Sequence, residues 1–167
     1  MRGRLEAALE AGAVAILLNT AALKLADLLS LPTAHGGLLR LVSRWLSAPL
    51  DRSGVALLWR RAGGPPVGSV LFQTGFHLAV GLAMAVVYAF AIDPFVDGRT
   101  MAKGFAYAAV AWLLNAAVVL PLTGEGFAGS EHLSFAGMAW FAAAHTLFFL
   151  ILAVLYRALR SGTDTKP

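Results

Sequence analysis

The sequence contains no cysteine and few charged residues. Without cysteine, the 167-residue chain forms no disulfide, no thiolate metal site and no cysteine nucleophile. Charged residues make up 13% of the chain, whereas an average soluble domain carries about 25%. The sequence also lacks a Ser/His/Asp arrangement, a phosphate-binding loop and a recognised metal-ligand spacing. We therefore expect no catalytic residue, no metal site and no enzyme activity.

Apolar residues, by contrast, make up 59% of the chain. They fall into runs that approach the roughly 20 residues needed to cross a bilayer as a helix. The sequence predicts a single all-α transmembrane domain over residues 1–167, with four spans at about 11–31, 70–92, 104–122 and 133–155. A polar turn at residues 2–10 is expected to precede the first span.

The net charge of +4 comes from arginine and lysine near the predicted helix ends. In a membrane protein such a balance reports topology, and we expect no nucleic-acid partner. Most basic residues outside the long connection fall on the side that holds both termini: Arg2, Arg4, Arg99, Lys103, Arg157, Arg160 and Lys166. The loop at 123–132 on the other side has no lysine or arginine, which favours cytoplasmic termini.

Two pairs of segments repeat along the chain. Residues 76–88 and 144–156 each carry a histidine near the start and a tyrosine eleven residues later, on one helix face. Residues 14–19 and 110–115 each end in Leu-Leu-Asn. These echoes predict a four-helix bundle built from two helix hairpins, related by a pseudo-two-fold axis along the membrane normal.

The repeats bring scarce polar side chains to similar depths near the middle of the membrane: Asn19, Asn115, His77 and His145. Polar groups at that depth are expected to face the bundle interior. Three interpretations remain open. The four residues can lock helix packing; His77 and His145 can ligate a b-type haem; or the histidines can line a path for protons or a small solute.

Smaller features have simpler interpretations. Tyr88 and Tyr156 fall at the ends of spans, where tyrosine is common as an interfacial anchor. Lys24 and Asp27 lie three residues apart and are expected to pair at a solvated helix end. Gly75 and Gly81 flank His77 and leave room for another helix or for a flat ligand.

The connection at 33–67 is predicted to be an amphipathic segment that lies in the headgroup layer. Leucine, valine and tryptophan fall on one side of its first part, and arginine falls on the other. A second, shorter piece repeats this pattern. The residues expected to face lipid or a partner subunit are Arg40, Arg44, Trp45, Trp59, Arg60 and Arg61.

The chain resembles small four-helix bacterial inner-membrane proteins that are grouped as domains of unknown function. The resemblance rests on Ala11-Gly12-x-Val14-Ala15, on His77-x-x-x-Gly81, on the closing segment of the third span at 113–126, and on His145 early in the fourth span. The connection at 33–67 is longer and richer in arginine than in those proteins. The resemblance implies a multi-pass protein of the bacterial inner membrane and no particular activity.

Together these patterns predict a non-catalytic accessory or scaffold subunit of a larger membrane assembly. Its expected partners are the lipid bilayer and other membrane subunits or further copies of the same chain. No cofactor is required by this interpretation. Haem b remains one alternative, with electron transfer as its function, and a transporter remains the other.

Overall fold

The protein is described by a computed structural model that covers residues 3–33 and 36–161. Every regular element in those ranges is helical. Residues 34 and 35 of the connection, and the terminal residues Arg2 and Lys166, lie outside the described ranges. The long helices are α1 (Arg4–Leu28), α4 (Val70–Ile92), α5 (Thr100–Leu122) and α6 (Phe135–Ser161), and the connection holds α2 (Gly37–Arg52) and α3 (Val55–Arg61).

All four long helices are sufficiently long and apolar to cross a membrane. The boundaries of α4 agree with the predicted span at 70–92. The polar turn predicted before the first span is wrong, because α1 already begins at Arg4. Ala7 and Ala8 are fully buried there, so packing against neighbouring helices stabilises this turn despite its charged residues.

The helices alternate in direction, and α1 packs closely against both α4 and α6. Small residues make the close approach to α4 possible. A Cβ atom added at Gly12 would lie 2.5 Å from Ala85 Cβ, and one added at Gly81 would overlap the side chain of Ile16. Helix α5 packs mainly against α6. We call the end with Arg4 and Ser161 the terminal end and the opposite end the connector end.

The two halves of α4 are packed differently. In the half at the terminal end, Gly81, Ala85, Tyr88 and Ala89 are buried. In the half at the connector end, residues 70–80, no residue is buried. Contact between α4 and α5 is concentrated near the terminal end, where the Tyr107 hydroxyl donates to the Met84 carbonyl at 3.2 Å. The two helices therefore diverge towards the connector end.

This divergence does not support the predicted pseudo-two-fold repeat. Under that symmetry, the extensive contact between α1 and α6 would recur between α5 and α4. The first contact extends over much of both helices, whereas the second is confined to the terminal end. The hairpins are present as α1 with α4 and α5 with α6, but the predicted symmetry between them is not confirmed.

The tyrosines are not interfacial anchors, contrary to the prediction for Tyr88 and Tyr156. Their exposed fractions are 1% and 2%, and their rings meet edge to face with centroids 5.6 Å apart. Tyr107 stacks on Tyr88 at 6.3 Å and contacts Phe149 at 4.5 Å. All three tyrosines of the chain therefore form one buried cluster, because α1, α4, α5 and α6 converge at the terminal end.

Candidate intramembrane polar site

Asn19 joins three membrane-spanning helices. Its side chain on α1 is 2% exposed. The Nδ2 group donates to the Ala144 carbonyl of α6 at 2.9 Å, and Oδ1 accepts a hydrogen bond from His77 Nε2 of α4 at 3.1 Å. Both ends of the Asn19 amide are therefore hydrogen-bonded, and Asn19 links α1 to α4 and α6 within the apolar part of the bundle.

His145 lies near Asn19 but bonds to its own helix. Its Nδ1 donates to the Phe141 carbonyl one turn earlier at 2.8 Å, and its ring packs against the Phe141 ring. With the proton on Nδ1, the Nε2 atom of a neutral ring is left as an acceptor. His145 directly follows Ala144, whose carbonyl accepts the Asn19 bond, and Asn19 also bonds His77. The structure thus brings together Asn19, His77 and His145.

Asn115 does not join that group in the way Asn19 does. It begins a wide, π-helical turn, Asn115–Val119, and its Nδ2 atom is buried with no hydrogen-bond partner among the described residues. Pro121 follows closely; it has no N–H, and its ring crowds the carbonyl four residues earlier, which favours a widened turn. The two asparagines that the sequence aligns therefore occupy different environments.

A second bond between α1 and α6 was missed by sequence reasoning. Trp140 Nε1 donates to the Ala22 carbonyl at 3.0 Å, about one turn from the Asn19 bond. Buried tryptophan N–H groups usually find an acceptor. That rule indicates that Trp140 needs a partner, but nothing in the sequence identifies a carbonyl of α1 as that partner.

The residues around His77 and His145 do not fit a haem. Two imidazoles would have to present free nitrogen atoms across the porphyrin plane. His77 and His145 each keep one acceptor nitrogen in the neutral form, but Ile16 fills the space beside Gly81, one turn from His77, where the porphyrin was expected. Gly81 does leave room for a neighbour, as predicted, but helix α1 occupies that room and a flat ligand does not. We derive no chemistry from haem at this site.

The predicted interfacial arginines divide into two groups. Arg40 pairs with Glu125 on the loop after α5, and Arg44 donates to the Leu122 carbonyl at 3.0 Å. Glu125 also pairs with His132 at 3.0 Å. These contacts tie α2 to the connector end of α5. Arg60 and Arg61, at the end of α3, are exposed.

The two tryptophans of the connection also differ. Trp45 is 61% exposed. Trp59 packs edge to face on Phe72 at 6.1 Å, and its Nε1 donates to the Pro65 carbonyl at 2.9 Å. Trp59 therefore holds α3 against the start of α4. Contact of these side chains with lipid or a partner subunit stays a prediction.

The described residues include no group of three histidine, aspartate or glutamate side chains placed to hold a metal ion. Their four long helices are long and apolar enough to cross a membrane, as in a multi-pass helical membrane protein, and side-chain hydrogen bonds join three of them. No protein-family model, no curated protein and no solved structure matches the chain.

Proposed function

We propose that the protein is a non-catalytic accessory or scaffold subunit that binds another membrane protein along the connector half of α4. The observation that carries this proposal is the separation of α4 from α5 in that half. No residue between 70 and 80 is buried, although the segment lies within a membrane-spanning helix. A transmembrane helix of a partner is a suitable occupant of the space beside it.

The residue types on this half of α4 are suited to helix association. Gln73, Thr74 and Gly75 are exposed, and a Cβ atom added at Gly75 would meet nothing within 4 Å. Small and polar residues are enriched where membrane helices meet, because apolar surface alone gives no preference for protein over lipid. The same helix uses Gly81 to receive α1, so an equivalent use of Gly75 fits its chemistry.

The polar groups at mid-membrane support a structural role for the interior. Asn19 bonds α4 and α6 through the two ends of its amide, and His145 donates through Nδ1 to its own helix. Interhelical bonds of this kind contribute on the order of 0.6 kcal/mol each, which fits a packing role. We further propose, from the basic residues at the terminal end, that the termini face the cytoplasm of a bacterial inner membrane.

Single-cysteine crosslinking tests the partner proposal directly, because the chain has no cysteine of its own. Leu71→Cys places a thiol on the connector half of α4, where the leucine is 71% exposed. Leu25→Cys on α1 is the matched control, since the Asn19–His77 pairing sets Leu25 near the same depth and it is 45% exposed. Both thiols are labelled in native membranes with a maleimide photocrosslinker.

We expect a discrete heavier product, containing one other membrane protein, from the Leu71→Cys variant and not from the Leu25→Cys variant. Adding Gly75→Leu to the first variant should remove the product, because the larger side chain occupies the space proposed for the partner helix. A product that contains only a second copy of this chain would replace the accessory role with self-association. Reaction of both thiols with lipid alone would overturn the proposal.

A proton or small-solute path is the second candidate, and Asn115 is the observation that favours it. A buried amide nitrogen with no partner among the described residues can be satisfied by water, and a relay through the histidines would need water inside the bundle. The described spans place no carboxylate beside these residues, which makes the candidate weaker. Its test is pH-dependent flux in liposomes that His145→Ala abolishes; unchanged flux excludes it.

A further inference from the structure

A groove separates the start of α5 from the last turns of α6 at the terminal end. Its volume is about 340 Å³. The lining side chains combine one cation, two hydroxyl groups and two apolar groups: Arg157, Thr100, Ser161, Val154 and Ala158. No carboxylate lines it among the described residues. The groove is separate from the Asn19 site and from the proposed partner surface on α4.

Within residues 3–33 and 36–161, most hydrogen-bond donors at the polar end of the groove have no acceptor. Arg157 donates to Thr100 Oγ1 at 2.7 Å, which occupies only one of its five N–H groups. Because Thr100 accepts this bond, its own hydroxyl proton remains able to donate. A cation beside a hydroxyl donor, with no carboxylate from the described part of the chain lining the groove, is suited to a phosphate oxygen.

Two backbone features modify the charge at this place. The Arg99 side chain does not cap the first turn of α5, whose amide groups face the same end of the bundle. The last turn of α6 presents carbonyl groups, which disfavour an anion. One of them, the Arg157 carbonyl, is satisfied by the Ser161 hydroxyl at 2.8 Å. Arg157 therefore determines the sign of the charge in the groove.

The other end of the groove is apolar. Val154 lies one turn before Arg157 and Ala158 on α6, towards the middle of the membrane, and is 46% exposed. An occupant of the whole groove must therefore carry a negative group at the membrane surface and a hydrocarbon part beside Val154. A free phosphate ion satisfies only the first requirement.

We propose that this groove binds the phosphodiester headgroup of an anionic phospholipid, with an acyl chain along Val154. Arg157 and Thr100 bind the phosphate oxygens, and the apolar wall orients the chain. Basic pockets between membrane helices are a known way of holding such lipids, and each arginine near a charged surface contributes about a fivefold gain in affinity. The site gives the protein a preference for lipid headgroup chemistry in one leaflet.

Native mass spectrometry of the full chain in detergent tests this preference. The protein is mixed with equal amounts of phosphatidylglycerol and phosphatidylcholine that carry identical acyl chains. We expect phosphatidylglycerol adducts to exceed phosphatidylcholine adducts about fivefold, and Arg157→Gln to bring the ratio close to one. Arg52→Gln, an exposed arginine of α2 at the connector end, should leave the ratio unchanged.

Val154→Trp distinguishes a bound lipid from a free ion. The larger side chain blocks the apolar wall but leaves Arg157 in place, so it should lower phosphatidylglycerol binding while millimolar inorganic phosphate fails to compete. Displacement by inorganic phosphate, together with no effect of Val154→Trp, would identify a free-phosphate site and overturn the lipid proposal. Equal adducts of both lipids on the unmodified protein would also overturn it. Unchanged thermal unfolding of each variant shows that the fold is retained.

Discussion

The terminal and connector ends of the bundle differ in how their helices associate. At the terminal end, the four long helices converge on three buried tyrosines, and α1 approaches α4 through Gly12 and Gly81. At the connector end, the residues of the first half of α4 are exposed or half-buried, and the arginines of α2 hold the end of α5. The connector half of α4 also carries Gln73, Thr74 and His77, whereas the terminal half has no charged, amide or imidazole side chain. Small residues and buried polar bonds decide where these helices meet.

The largest expected difference in stability is between Gly81→Leu and Gly75→Leu, the two glycine substitutions on either side of His77. Gly81→Leu should lower the free energy of unfolding by about 3 kcal/mol, because its side chain would overlap Ile16 of α1. Gly75→Leu, on the same helix, should leave stability unchanged or slightly improve it, since nothing lies within 4 Å and leucine is the better helix former. Unfolding in mixed detergent micelles, followed by tryptophan fluorescence, measures both. Equal losses would show that α4 is packed uniformly along its length.

The next effect distinguishes the two asparagines that the sequence places in register. Asn19→Leu removes two cross-helix hydrogen bonds and should cost about 1–2 kcal/mol of stability. Asn115→Leu removes a buried amide whose Nδ2 has no partner among the described residues, so it should be neutral or stabilising. The same micelle titration provides the comparison. Equal destabilisation by the two substitutions would support the predicted symmetric repeat.

A smaller effect is expected within the tyrosine cluster. Tyr107→Phe removes the hydrogen bond to the Met84 carbonyl and should cost about 1 kcal/mol. Tyr156→Phe removes a buried hydroxyl with no partner in the described part of the chain and should cost nothing. Melting temperatures in detergent measure the difference. A larger loss for Tyr156→Phe would mean that its hydroxyl has an acceptor, as an interfacial residue would have in water.

The smallest effect concerns two lysines in ion pairs. Lys103 is 16% exposed and bonds both the carbonyl and the carboxylate of Asp93, so Lys103→Gln should cost about 0.5 kcal/mol. The predicted Lys24–Asp27 pair is present at 3.5 Å, but Lys24 is 68% exposed. Lys24→Gln should therefore be neutral. Melting at low and high salt is the measurement, and a salt-sensitive loss for Lys24→Gln alone would reverse this order.

Particular residues show how far the sequence could lead. Asn19 and His77 were expected at similar depths, and they bond to each other, because helix rise converts sequence position into depth. His145 lies near them for the same reason, because Asn19 bonds the carbonyl of Ala144, the preceding residue. The environment of Asn115 could not be derived, because it depends on the widened turn before Pro121 and on how far α4 stands from α5.

The burial of the tyrosines, by contrast, could not be predicted from the sequence. Their positions near span ends are typical of interfacial anchors, and the sequence gives no sign that neighbouring helices converge there. Tyr88 of α4 contacts Tyr107 of α5 and Tyr156 of α6, so the burial of these rings depends on side chains from other helices. The ion pair between Arg40 and Glu125 could not be predicted either, since the two residues lie far apart along the chain.

By itself, the sequence determined that this is an all-helical chain with four candidate membrane spans. Long apolar runs must satisfy their backbone groups internally, and a helix achieves this within one segment. Only the tertiary structure decided which end of the bundle is tightly packed, which asparagine is bonded and which arginines face the protein. Those outcomes depend on contacts between distant segments, and apolar periodicity identifies a helix face without identifying the helix that covers it.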